Sequence, residues 1–198
     1  MKRTKLKDRI LPKYSKGEEI FNMTSHIVGG ALGIVALILC VVFAAIHHNG
    51  YGVVSGAIYG VTMILLYTMS SIYHGLKPER FSKKVFQVLD HCSIFLLIAG
   101  SYTPFCLCTF REYNTALGWT IFGIIWAIAI LGIVYLIIRM YLENDAMIKA
   151  RYLAKEYMEE KEISTKEEIE KMIQQYDIVN DLGIKCVHYQ LVANAIAK

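Results

Sequence analysis

IVGGALGIVALILCVVFAAI, residues 27–46, contains no charged side chain and is apolar on every face. About 20 such residues are needed to cross the hydrocarbon core of a bilayer as a helix. Working outward from it, three further runs of spanning length follow, at 51–73, 92–110 and 115–138. The chain of 198 residues is 55% hydrophobic and 19% charged, with a mean hydropathy of +0.40. That composition is too apolar for an average soluble domain. The expected fold is therefore an all-α integral membrane protein with four transmembrane helices and an amphipathic helical tail.

The charge is divided unevenly along the chain. Residues 1–140 hold 13 Lys and Arg against 6 Asp and Glu (+7), and residues 141–198 hold 8 against 11 (−3), which together make the net +4. Three regions follow: a basic segment at 1–26, a four-span domain at 27–140 and a tail at 141–198. Lys2, Arg3, Lys5, Lys7, Arg9, Lys13 and Lys16 precede the first span, and Lys77, Arg80, Lys83 and Lys84 lie between the second and third. The 47–49 loop has no Lys or Arg, and Arg111 alone serves the loop after span three. Basic loops mark the cytoplasmic side, so both termini and the 75–91 loop are expected in the cytoplasm of a multi-pass cell-membrane protein. The long charged lead, the full-length apolar core and the lack of an A-x-A site read the first span as retained rather than cleaved.

Glycine recurs at four-residue spacing, at Gly29 and Gly33 and again at Gly52, Gly56 and Gly60. Small residues so placed let membrane helices pack closely, either within the chain or in self-association. Five cysteines without a C-x-x-C pair do not make a disulfide scaffold. No phosphate-cradling glycine loop is present, and an acidic tail gives no support to nucleic-acid binding. Membrane lipids are the expected partners.

Polar groups at the inner ends of the spans carry the chemistry. Ser70 and His74, four residues apart, share one face of the second span. Asp90 and His91 are expected in the first turn of the third span, and His26 at the start of the first. Their common depth suggests a metal site, since His and Asp bind zinc or orient its ligands, and a nearby carboxylate can take a proton from metal-bound water. Equally, helix-end histidines meet headgroups and water, and Asp90 could act only as a helix cap. His47 and His48 are expected to face solvent.

EEIFNMTSHIVGG (18–30), SSIYH (70–74) and LDHCSIFLLIAGSYTPF (89–105) together resemble the hemolysin III family. That family belongs to the superfamily of progestin and adipoQ receptors and alkaline ceramidases. The resemblance covers about residues 15–140. It implies a seven-helix membrane bundle with zinc near the cytoplasmic face, with His74 as a metal ligand and Ser70 and Asp90 around the metal-bound water. Some superfamily members hydrolyse lipid amides, and the bacterial branch takes its name from haemolytic, pore-type activity. The H-x-x-x-H that supplies two further ligands in the family has no counterpart here, which reads as a shortened member with an incomplete zinc set. Cys186 and His188 are the tail's only candidate replacements, and His26 and His91 lie nearer in depth.

The tail is expected to form two amphipathic helices. One covers 145–161, with Met147, Ala150, Leu153 and Ala154 on one side. The other is opened by a Ser164–Glu167 capping box and carries Ile169, Met172, Ile173 and Tyr176 at helical spacing. Two function classes stay open. One is a non-catalytic membrane protein, pore-forming (cytolytic) or regulatory, with a partial zinc site. The other is a zinc-dependent hydrolase of lipid amides, in which Asp90 is the base and Ser70 its support.

Overall fold

The computed structural model describes residues 5–179. Four helices are long and apolar enough to cross a membrane: α1 (Lys16–Ile46), α2 (Gly50–Gly75), α3 (Phe81–Tyr113) and α4 (Thr115–Glu160). A short helix, α5, occupies 166–179. The chain is an all-helical, multi-pass membrane protein. Cys186 and His188 lie outside the described residues.

Each span begins where a local signal dictates. Ser15 caps α1 by accepting from the Glu18 N–H at 3.3 Å, while Glu18 returns a carboxylate to the Ser15 N–H at 2.7 Å. This reciprocal box satisfies two otherwise orphaned donors. It starts the first helix well before the apolar run, so His26 lies inside α1 rather than at its beginning. His48, in the left-handed region at φ 53°, turns the chain, and Asn49 caps α2 by accepting from the Gly52 N–H at 2.8 Å.

The third helix also begins earlier than its apolar run suggests. It starts at Phe81, shortly after Pro78, which disfavours helix for the residue before it. Asp90 is thus in the body of α3, and the expectation of a first-turn position is corrected. Near its far end Pro104 is followed by a π turn over Phe105–Phe110. A proline lacks the N–H for the helical ladder and crowds the carbonyl four residues back, and a π turn absorbs such a defect.

Packing within Ser15–Ile138, one compact unit, is led by small residues. A Cβ on Gly60 would stand 2.5 Å from the Leu37 Cβ, and one on Gly56 would stand 2.9 Å from that of Cys40. These glycines seat α2 against α1 of the same chain. Only 6% of the apolar window of α1 or of α4 is buried, so both present apolar side chains outward, as lipid-facing helices do.

The polarity of the interior is inverted relative to a soluble protein. Among the described residues every buried polar or charged side chain belongs to α2 or α3: Ser55, Thr62, Ser70 and His74 on the first, Lys83, Gln87, Asp90, Ser93 and Thr103 on the second. Several hydroxyls satisfy themselves on their own helix, Thr103 donating to the Ala99 carbonyl at 2.8 Å and Ser93 to that of Asp90 at 2.7 Å. Trp126 of α4 donates its indole N–H to Thr103 Oγ1 at 3.2 Å.

The second compact unit draws on the chain before Ser15 and from Arg139 onward. The expected separate helix at 145–161 is corrected: α4 runs unbroken from Thr115 to Glu160. Residues 139–160 contain no Gly or Pro to stop it. Arg139–Glu143 and Lys149–Asp145 pairs at 2.6 Å add i,i+4 support. The Ile10 N–H donates to Asn144 Oδ1 at 3.0 Å, and Arg151 pairs with Asp177 at 2.9 Å. The capping box of α5 is also shifted by one residue, to Thr165 and Glu168, whose carboxylate accepts from the Thr165 N–H at 2.8 Å. Ile169 is the buried side chain of that helix.

Candidate functional site

Three helix faces meet around His74. On α2, Ser70, Tyr73 and His74 recur at i, i+3 and i+4, and all three are buried. On α3, Lys83, Gln87 and Asp90 stand at i, i+4 and i+7 and are buried too. On α1, Glu19 and His26 lie seven residues apart, two turns along one side. All of these belong to the Ser15–Ile138 unit.

Glu19 joins the three helices. Its Oε2 lies 2.6 Å from His74 Nδ1, and its Oε1 accepts from Lys83 Nζ at 2.6 Å. Lys83 also donates to the Leu76 carbonyl at 2.9 Å, satisfying a carbonyl just past the C-terminus of α2, where such groups lack helical partners. Its ammonium lies 5.0 Å from the centre of the Tyr73 ring. At 1% exposure this lysine could not remain charged without such partners.

His26 stands beside this network. Its ring centre is 5.9 Å from that of His74 and 5.8 Å from that of Tyr67. Its Nδ1 is buried with no hydrogen-bond partner among the described residues. Asp90 is buried on α3, with Oδ2 3.8 Å from His91 Nδ1. Its place in the helix body removes the simple N-cap reading. His47 and His48, as expected, are exposed.

The donor set can be judged for zinc. The Glu19 carboxylate on His74 Nδ1 is the kind of contact by which a carboxylate orients an imidazole. A catalytic zinc takes three protein ligands and an open position. Among the described residues no three His, Cys, Asp or Glu side chains are grouped to hold a metal ion. The described donors therefore do not fit a catalytic zinc shell, since the His26 and His74 imidazoles together are fewer than the three ligands it takes.

Sequence reasoning placed Lys83 among the topogenic basic residues of a loop and so missed its part in the site. The signal was present in FSKKVFQVLDH (81–91), where Lys83, Gln87 and Asp90 share a face once the helix starts at Phe81. Tyr73 and the Glu19–His74 pairing were likewise not read as site features.

A family model described as Haemolysin-III related matches residues 14–155. The chain is similar to "Hemolysin-3" of Bacillus cereus, 45% identical over 118 residues, which are 60% of this chain and 52% of the relative. It is also similar to "Hemolysin-3 homolog" of Bacillus subtilis (strain 168), 39% identical over 118 residues, 60% of this chain and 54% of the relative. The chain thus spans about half the length of the curated relatives it matches. No solved structure matches it.

Proposed function

The chain belongs to the haemolysin-III related family, and from that premise we propose that it permeabilises or regulates the membrane it spans and does not catalyse a reaction there. The two relatives carry the name hemolysin, and a membrane-lytic role accords with α1 and α4, which turn apolar faces outward. Self-association across those faces is part of the proposal. The observation that carries it is the fate of His74, whose Nδ1 is held by Glu19, itself held by Lys83. In this reading the network ties helices together, and His74 and His26 form a partial zinc site of low occupancy.

The second reading, a zinc-dependent hydrolase of lipid amides, is favoured by the burial of Ser70, His74 and Asp90 and by the unpartnered Nδ1 of His26. One set of measurements separates the two. Purified full chain would be assayed for zinc content, for release of a dye from phospholipid vesicles, and for turnover of ceramide-like amides with and without added zinc. Dye release with substoichiometric zinc and no turnover is expected. Zinc-dependent turnover lost in both His74→Ala and Asp90→Ala would establish the hydrolase instead.

A further inference from the structure

α2 starts at Gly50 and ends at Gly75, so its two ends lie on opposite sides of the membrane. At the end away from His74, where α1 meets α2 and α3 meets α4, there is a single Lys or Arg side chain. Residues 44–54 and 105–122 contain no Lys or Arg except Arg111. Nothing in the network around His74 bears on it.

Arg111 is held in place from three directions. Its guanidinium carbon lies 3.6 Å from the centre of the Tyr51 ring. Its Nε donates to the Leu107 carbonyl at 2.8 Å, within the π turn. Behind it Gly118 lets α4 pass close, since a Cβ there would come 2.5 Å from Arg111 Cα and N. Trp119 meets the Tyr51 ring edge-on at 6.4 Å and Phe122 at 5.7 Å, which completes an aromatic wall. With Nε engaged and one face covered, the two terminal amines are the donors left over. No ion pair takes them among the described residues, although Glu112 is adjacent in sequence.

Tyrosine and tryptophan gather at the depth of lipid headgroups, which is also the depth of lipid phosphate. A planar guanidinium with its terminal edge open matches two phosphate oxygens, and stacking on an aromatic ring sets that edge in advance. The N-terminus of α4, beginning at Thr115 a few residues on, adds positive potential to the same corner. A headgroup with net negative charge suits this corner better than a zwitterion, because the terminal amines of Arg111 make no ion pair with Glu112 or another carboxylate among the described residues, and a zwitterion would bring its own cation beside the guanidinium.

We propose that Arg111, stacked on Tyr51 and walled by Trp119, is a binding site for the phosphate of an anionic phospholipid headgroup. This stands apart from the reading of the His74 end. The test uses the full chain in a neutral glycoside detergent, with Tm followed as phosphatidylglycerol, phosphatidylcholine or inorganic phosphate is added. Phosphatidylglycerol raises Tm, and phosphatidylcholine and inorganic phosphate raise it much less. Arg111→Gln loses most of the rise, Arg111→Lys keeps only part of it, and Arg139→Gln keeps all of it. If Arg111→Gln fails to fold, Tyr51→Leu, which removes the stacking surface, takes its place. A full rise in the Arg111→Gln or Tyr51→Leu protein overturns the site. An equal loss in Arg139→Gln reduces it to nonspecific charge, and an equal rise with inorganic phosphate removes the lipid from the proposal.

Discussion

Lys83 Nζ and Glu19 Oε1 lie 2.6 Å apart across α3 and α1, with side-chain exposures of 1% and 18%. Breaking a buried pair of this kind costs about 3–5 kcal/mol because the surviving charge is left unsolvated, while replacing both partners by apolar groups costs far less. Lys83→Met and Glu19→Gln are each expected to lower stability in detergent by an amount of that order. The double variant should recover much of the loss. Chemical unfolding of the four proteins measures the coupling, and a double variant as unstable as the sum of the singles would refute the pairing.

Gly60 is expected to tolerate no side chain. A Cβ there would meet Leu37 Cβ at 2.5 Å and its Cα at 2.8 Å, so the backbone of α1 would have to move. Overpacking of this kind costs about 1–3 kcal/mol. Gly123, with nothing within 4 Å of its hypothetical Cβ, should accept alanine without loss. Thermal unfolding of Gly60→Ala beside Gly123→Ala checks the contrast, and equal melting temperatures would contradict the helix contact.

The α5 cap should respond to acid. Hydrogen bonds from the Thr165 backbone N–H and then from its hydroxyl hold the Glu168 carboxyl below its ordinary value. A group whose folded pKa is depressed contributes stability that is present above its unfolded pKa. That contribution is lost as pH falls through the folded value. Amide exchange over 166–169 in the full chain should therefore speed up as pH drops through and below the ordinary carboxylate range, after correction for intrinsic rates. Glu168→Gln should flatten that dependence, and an unchanged profile in this variant would exclude the cap as its source.

Orientation is best tested away from buried residues. Positive-inside reasoning places His48 and Arg111 outside, and Lys77 and Lys166 inside. Lys83 is fully buried and makes a poor reporter, whereas Lys77 is exposed. Single cysteines at 48, 77 and 166, in a background lacking the native cysteines, should label from outside only at position 48. External labelling at 166 would contradict a cytoplasmic tail.

The four spans were legible because the requirement for a spanning helix is local: an uninterrupted apolar run of sufficient length, as at 27–46, and no contact with the rest of the chain. The shared face of Ser70 and His74 followed from helix periodicity in the same way. What sequence could not specify was where the polar flanks end. Lys83 read as a loop cation because a charge beside an apolar run is usually solvated, and Asp90 read as a first-turn residue because α3 was started at its apolar stretch. Only tertiary structure extends that helix back to Phe81 and brings Glu19, 64 residues before Lys83, against it. A buried ion pair depends on which distant helix offers the countercharge and on how much water the packing excludes. Neither quantity is a property of the residues on one helix, so Glu19, His74 and Lys83 become one site only when α1, α2 and α3 pack together.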